Sequence, residues 1–308
     1  MEETKTFLSR RHFLTKGSTA VGALGLAMSA GSLLVPRDAQ AALLTFPQPA
    51  ALDVERVRDL GYYWYKKGPG CGHGAARALI QGFSEACTAQ GLDPLGWNDV
   101  PRNLYAWCNG GGPSNWGVLC GSIAGAVGVM NLIGRQGDIG QKVFEWYVKQ
   151  NFPSANLDDL AIGFDGSANG NGGHGASATG PLTTAQMPIP SAEHKGQAIS
   201  DSPLCHVSVS KWMAAAGVYH GQTDPVTGKD YRGDRCGKVT ADTAAYAAEQ
   251  YNLWKATATL PGSWQKPSAM GSCFECHDVG GTAGVTNKSS ATKMDCLPCH
   301  TEPVTGRK

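Results

Sequence analysis

The chain has 308 residues, with 26 Lys or Arg against 25 Asp or Glu, 42% hydrophobic residues and ten cysteines. A balance this close to neutrality, with no basic stripe and no acidic tail, excludes an electrostatic nucleic-acid binder. Beyond the N-terminal leader no stretch is apolar enough to span a bilayer, which excludes an integral membrane protein.

Ser9-Arg10-Arg11-His12-Phe13-Leu14-Thr15-Lys16 is a twin-arginine export motif. A moderately apolar stretch over 17–34 follows, and Ala39-Gln40-Ala41 supplies the small-x-small pattern of a signal-peptidase site. That stretch is short and rich in Gly, Ser and Ala, which disfavours a membrane anchor. Cleavage after Ala41 leaves 267 of the 308 residues, with 21 basic and 22 acidic side chains, in the periplasm. This is enough for one large domain or two small ones. The twin-arginine route moves folded proteins. That choice of route implies a cofactor that folds with the chain beforehand.

Hydrophobic periodicity predicts helices almost throughout. An amphipathic helix runs over 52–65, and a second begins after Gly72 and extends to about Gln90, where Gly91 is placed to stop it. Asn109-Gly-Gly-Gly-Pro113 is a turn that cannot be helical. The run 116–134 then reads as a helix with Gly121, Gly125 and Gly128 on one face, a pattern that lets another backbone approach closely. Each of these glycines costs up to about 1 kcal/mol of helix propensity against Ala, so close packing is expected there. A further amphipathic helix covers 138–150 and is ended by Phe152-Pro153. Residues 163–180 have no helical or strand period and read as a long loop. Helical pattern returns at 202–216 and 241–254, and no convincing run of alternating strands is present. The expected class is all-α, a helical body followed by an irregular C-terminal segment. The expected division is a signal peptide over 1–41, a helical Cys-rich domain over 42–260 and a further segment over 261–308.

That last segment carries Cys273-Phe-Glu-Cys276-His277 and Cys296-Leu-Pro-Cys299-His300, two complete C-x-x-C-H motifs. This is the attachment signature of haem c, so 261–308 is expected to be a haem-organised, dihaem segment; haem c is attached after export, so the cofactor that the export route implies is another one. Two thiols add across the porphyrin vinyl groups, and the adjoining His becomes the proximal iron ligand. Four Cys and two His could instead form a zinc site or disulfides, but zinc sites rarely place His directly after the second Cys. The remaining cysteines are Cys71, Cys87, Cys108, Cys120, Cys205 and Cys236. An even number in an oxidising compartment reads as up to three disulfides. Iron–sulfur ligation, commonly by four thiolates, is the competing reading, and the export route favours it.

Gly70-Cys71-Gly72-His73-Gly74-Ala75-Ala76 resembles the first motif of the C-GCAxxG-C-C proteins. Gly110-Gly-Gly-Pro-Ser-Asn-Trp-Gly-Val-Leu-Cys120-Gly121-Ser-Ile-Ala-Gly125-Ala126 resembles their Gly-rich loop and Cys-Gly-Ala helix. Cys205 and Cys236 match their two later cysteines. Joined to a pair of C-x-x-C-H motifs, the chain is similar over nearly all of its mature length to the split-Soret cytochromes c. It departs locally, with Gly-His-Gly after Cys71 where that family has Cys-Ala, and Cys87 and Cys108 lie outside the pattern. The resemblance implies a mostly helical homodimer with two haems c per subunit clustered at one end, each iron bis-histidine with one ligand from the partner subunit. It also implies an iron–sulfur centre of the [2Fe–2S] type at the opposite end, with Cys71, Cys120, Cys205 and Cys236 as ligands. Cys71 and Cys236 fall near predicted helix N-termini, where the dipole favours thiolate.

His277 and His300 are the proximal ligands. Distal ligands come from His73, His174, His194, His206 or His220, or from Met. Met213 reads as core packing, and Met270 and Met294 lie beside the haem motifs. His174 sits in the Gly-rich run, His206 follows Cys205, and His73 reads as near the cluster. That leaves His194 and His220 as the candidate distal ligands.

The expected function is electron transfer between periplasmic redox partners, because bis-histidine ligation leaves no open iron position. A reductase of a small oxidant such as nitrite at a five-coordinate haem is the alternative. A thiol–disulfide site near Cys71 and Cys120 ranks last, since no C-x-x-C pair lies outside the haem motifs.

Overall fold

The computed structural model describes residues 46–154, 157, 160, 182–190 and 196–262. The export motif, the Gly-rich loop, both haem motifs, His174, His194, Met270 and Met294 lie outside the described residues.

Seven α-helices form the body among the described residues: α1 (Val54–Lys67), α2 (Cys71–Ala89), α3 (Leu95–Asn98), α4 (Gly121–Leu132), α5 (Ile139–Lys149), α6 (Cys205–Ala216) and α7 (Tyr231–Thr257). The fold class is all-α, with one two-stranded antiparallel ladder added. In it β1 (Asn151–Phe152) pairs β2 (Ala198–Ile199) in the register Asn151↔Ile199 and Phe152↔Ala198.

Local chemistry starts several of these helices. Asp53 caps α1 by accepting from the Arg56 amide at 3.0 Å, with Glu55 in the first turn and Lys66 and Lys67 in the last, as the helix dipole favours. Asp138 caps α5, and Asp230 caps α7 through the amides of Arg232 and Gly233. Gly217, at φ 66°, closes α6 in the left-handed conformation.

Helix α7 is the central element and packs against α1, α2, α4 and α5. Its interior side is lined by alanines, Ala241, Ala244, Ala245, Ala247 and Ala248, all fully buried. Phe83 stacks on Trp97 with ring centroids 4.2 Å apart, and Tyr251 meets Phe83 edge-on. The Trp97 indole and the Tyr251 hydroxyl donate to the carbonyls of Pro47 and Pro49, which ties the entering chain to the core. Small residues set the spacing of α2 and α4, as the sequence predicts. A Cβ on Gly125 would run into the Gly72 carbonyl oxygen, and one on Gly121 would meet the Cys71 sulfur at 2.5 Å.

Several boundaries differ from the sequence expectation, among them the start of α6, at Cys205 instead of 202. Helix α4 starts at Gly121, because Trp116 and Gly117 belong to a turn and Val118–Cys120 is extended and hydrogen-bonds to a distant segment. Helix α2 starts at Cys71 itself. Helix α7 starts at Tyr231, ten residues before the expected position, and those residues include Cys236. The extra turns are polar in sequence yet buried. Asp234 accepts from the Tyr62 hydroxyl at 2.7 Å and the Ile189 amide at 3.0 Å, and pairs with Lys238 at 3.4 Å. Long-range partners therefore satisfy what a local pattern reads as a loop.

Replacing Gly125 by Val should cost about 1–3 kcal/mol through overpacking against α2, visible as a lower guanidinium midpoint without loss of haem. Asp242, on α7, is buried and its carboxyl is pushed up to about 6 by burial, against the pull of Ser154 and Arg58. The folded state thus holds this proton more tightly than the unfolded chain, whose value is near 3.8. Stability should fall as pH rises between those values, by about 3 kcal/mol at 1.36 kcal/mol per unit. The difference in stability between wild type and Asp242→Asn across that window measures it.

A four-cysteine cavity at converging helix starts

Cys71, Cys120, Cys205 and Cys236 line one cavity of about 150 Å³, together with Tyr65, Tyr147, Ser122, Arg232 and Arg235. A space of about that size admits a benzene-sized object. Each cysteine comes from a different helix. Cys71 and Cys205 are the first residues of α2 and α6, Cys120 is the N-cap of α4, and Cys236 lies one turn into α7.

The loop chemistry explains how residues so far apart in sequence meet. Gly110, Gly111 and Gly112 all have positive φ, which folds 108–112 back so that Gly110 and Gly111 accept from the Gly117 and Val118 amides at 3.0 and 2.7 Å. The extended run after Gly117 then pairs with the approach to α6. The Cys205 amide donates to Val118 at 2.6 Å, and the Cys120 amide to Pro203 at 2.9 Å. His206 adds both its amide and Nδ1 to the Gly117 carbonyl, at 3.0 and 2.8 Å. Gly111 has no room for a side chain, since a Cβ there would sit 2.5 Å from that of Cys205. On the far side, the antiparallel β1–β2 pairing and an Asp201 amide bond to Val148 fix the segment leading to Cys205.

The cavity is built for negative charge. Helices α1, α5 and α7 have aspartate caps, but α2, α4 and α6, which begin at the cavity, have no side-chain cap. Their first amides and the positive ends of their dipoles are left facing the cysteines. Arg232 and Arg235 line the same space, and the Nε–H of each is buried without an acceptor. Orphaned buried donors call for an acceptor in the site.

The thiols alone do not supply it. Burial pushes the Cys71 thiol well above its usual range, reinforced by Cys120 and Cys236. Burial and the same two neighbours raise Cys205 to about 12, with Arg232 and Arg235 pulling the other way. Four thiolates in this space require a cationic centre, which would reverse that penalty. Among the described residues no group of three or more His, Cys, Asp or Glu side chains is placed to hold a single metal ion. Four sulfurs spread around a cavity suit a polyatomic iron–sulfur core better than one zinc ion.

The six described cysteines are all free, so none forms a disulfide with another. Cys87 is buried with its thiol 3.6 Å from the Pro47 carbonyl, and Cys108 is buried beside the loop; neither lines the four-cysteine cavity. Burial raises both thiols to about 11, as for inert core cysteines.

Of the described histidines, His73 does not line the cavity. It is buried edge-on to Trp64, with its pKa pushed down to about 4 by burial and then by Arg77. His206 braces the loop. His220 is exposed, and its Nε2 meets Arg232 Nη1 at 3.0 Å, so a haem iron there would have to displace that contact. Met213 packs against the Trp212 cluster, in line with a packing role.

Tyr147, Ser208, Arg232 and Arg235 were not singled out by the sequence. The two arginines flank Cys236 at i−4 and i−1, a legible signal; Tyr147 and Ser208 carried none.

Serine at Cys71, Cys120, Cys205 or Cys236 should each abolish or sharply reduce non-haem iron while leaving the haem spectrum intact. Cys87→Ser and Cys108→Ser should retain it, as iron and haem assays on purified protein would show.

No family model matches the chain. It is 30% identical over 304 residues, covering 92% of its own length and 91% of the relative's, to the split-Soret cytochrome c of Desulfovibrio desulfuricans. It also resembles a solved structure of the split-Soret cytochrome c from that organism, described as having a novel iron centre. The TM-score is 0.58 at 28% identity, over 85% of this chain and 93% of that one.

Proposed function

The chain belongs to the split-Soret cytochrome c family, and on that premise we propose that it is a periplasmic dihaem electron carrier with a [2Fe–2S] centre in its four-cysteine cavity. Membership makes it a c-type cytochrome of electron-transfer type. Among the described residues no helix is long and apolar enough to cross a membrane. The observation that carries the finer reading is the cavity itself, where four cysteines from four helices meet three uncapped helix starts and two arginines with orphaned donors.

On this reading the chain divides into a twin-arginine signal over 1–41, the helical domain over 42–260 and a dihaem segment over 261–308. Cys273 and Cys276 anchor one haem and Cys296 and Cys299 the other, with His277 and His300 as proximal ligands. His194 and His220 are the candidates for the distal positions, one ligand of each iron coming from the partner subunit of a homodimer. The cluster supplies a second one-electron store when bound. The protein's part is to hold four thiolates, exclude water from them and balance their charge with Arg232 and Arg235.

The test is non-haem iron and acid-labile sulfide per haem on protein purified without air. About two of each per chain are expected for a two-iron centre. Iron equal to haem, without sulfide, would reduce the protein to a plain dihaem carrier. The dithionite-reduced protein should also show little change on adding CO, because bis-histidine iron has no open position. A strong CO band would instead favour a reductase of a small oxidant such as nitrite.

A further inference from the structure

The turn that closes the cysteine cavity has a second face. Asn109, Gly110 and Asn115 line the cavity, while Cys108, Gly111 and Trp116 from the same turn line an open depression of about 420 Å³ on the outside. Trp107, Pro113, Val118, Leu119 and Ala124 help to complete that depression. A single run of backbone separates the two spaces. The Cys108 carbonyl oxygen and Asn109 Oδ1 each lie 3.9 Å from Cys71 Sγ. A Cβ on Gly111 would sit 2.5 Å from that of Cys205, and Leu119 directly precedes Cys120.

The outer face is apolar, exposed and held in place. Trp116 is 77% exposed, Trp107 58% and Val118 53%. The backbone that carries them is tied down, with the Gly117 and Val118 amides bonded to Gly110 and Gly111 and the Gly117 carbonyl held by His206. A surface fixed in this way loses little freedom when something docks on it.

Three features select the occupant. At about 250 Å² for a whole tryptophan, the two indoles leave roughly 300–350 Å² in water. Patches of that size on soluble proteins often mark binding sites. This one falls short of the about 800 Å² per partner of a standard stable complex and suits the small contact of a transient electron-transfer encounter. Among the described residues, no hydroxyl, amide or charged side chain lines the depression, whereas a small-molecule site needs a few such groups to orient its ligand. Finally, residues 103–134 include no Asp, Glu, Lys or Arg. That stretch offers no charge to steer an acidic or basic partner and none to attract anionic lipid.

We propose that the depression between Trp107 and Trp116 is the docking surface for a redox protein whose own one-electron centre lies under an uncharged, apolar face. This rests on the cluster reading above and adds where the cluster exchanges electrons. One electron crosses the turn between the partner's centre and the cluster. The giver is oxidised by one equivalent, the taker is reduced by one, and no bond is made or broken. Electron transfer through protein falls steeply with distance, and a partner seated here has only the turn between it and the cluster's ligands.

The test is voltammetry of the full, haem- and iron-loaded chain on gold coated with a methyl-terminated monolayer, an uncharged apolar face that stands in for the partner. Wild type should exchange electrons with the cluster on that surface, at a rate that stays the same from low to high salt. In the double variant Trp107→Ser/Trp116→Ser the cluster rate should fall about tenfold, as for tryptophans at the centre of a contact. Its haem waves and its reduction by dithionite in solution should stay unchanged, and Trp107→Phe/Trp116→Phe should keep most of the wild-type rate. An unchanged cluster rate in the serine variant overturns the docking surface and leaves the cluster reading standing. So does a wild-type cluster that iron and sulfide assays detect but that is silent on the methyl surface. Altered haem waves in the serine variant assign the face to the chain's own haem-bearing segment, and a changed sedimentation coefficient assigns it to a second copy. Co-sedimentation with phosphatidylcholine vesicles that the serine variant loses assigns it to a membrane. Each of these three also overturns the proposal. A wild-type chain without labile sulfide removes the cluster reading and the docking surface together.

Discussion

Thiolates are hard to bury beside one another. Desolvation and mutual repulsion both favour the neutral thiol, and Cys71 and Cys205 feel each of these strongly. A fold that nonetheless brings four cysteines to one cavity must either leave them as inert thiols or supply compensating positive charge. The inert alternative is visible in the same molecule. Cys87 sits in the hydrophobic core with its thiol beside the Pro47 carbonyl. Around the other four the surroundings are of another kind, with uncapped helix starts, two arginines and backbone amides.

That requirement reaches well beyond the cavity. For α2 and α4 to present Cys71 and Cys120 side by side, their first turns must nearly touch. This needs Gly72, Gly121 and Gly125 at the crossing, although glycine weakens a helix interior. For Cys205 to join them, the run 118–120 must stay extended and the segment from Gly117 must pair with 203–206 instead of continuing α4 backwards. The positive-φ glycines of the preceding turn make that possible. For Cys236 to face the same space, α7 must begin early, and its first turns must carry Asp234, Arg235 and Lys238 into the interior. The buried Asp234–Lys238 pair, braced by Tyr62 and by the amide and carbonyl of Ile189, meets the cost of that burial with partners from two other parts of the chain.

What the sequence made legible follows the same division. Helices α1 and α5 carry regular amphipathic patterns with aspartate at the start, and both were read to within two residues. The small-residue face of α4 predicted a close neighbour correctly, because only packing explains several glycines in one helix. The start of α7 was not legible. Tyr-Arg-Gly-Asp-Arg-Cys-Gly-Lys reads as a polar loop, and nothing local reveals that its charges are satisfied by Tyr62, Ile189 and Ser208. The start of α4 failed for the opposite reason: Trp116, Val118 and Leu119 look helical, while Trp116 lies in a turn and the backbone after it is claimed by a strand-like pairing more than eighty residues away. The four cysteines themselves were legible only as a pattern resembling a known family. Their meeting point depends on long-range pairings that no spacing encodes, and the Tyr147–Ser208 contact belongs to the same category.

The length of α7 bears on how the proposed assembly is ordered. Cys236 and Thr257 are twenty-one residues apart on one continuous helix, which at 1.5 Å per residue separates them by about 31 Å. The cysteine cavity is therefore completed at one end of α7, and the chain leaves the helical body toward the haem motifs from the other. All four cavity cysteines precede that exit. On the proposed reading, every residue that would hold the cluster lies in the helical body and precedes the haem motifs in the chain, the order that building a cluster before attaching haem calls for.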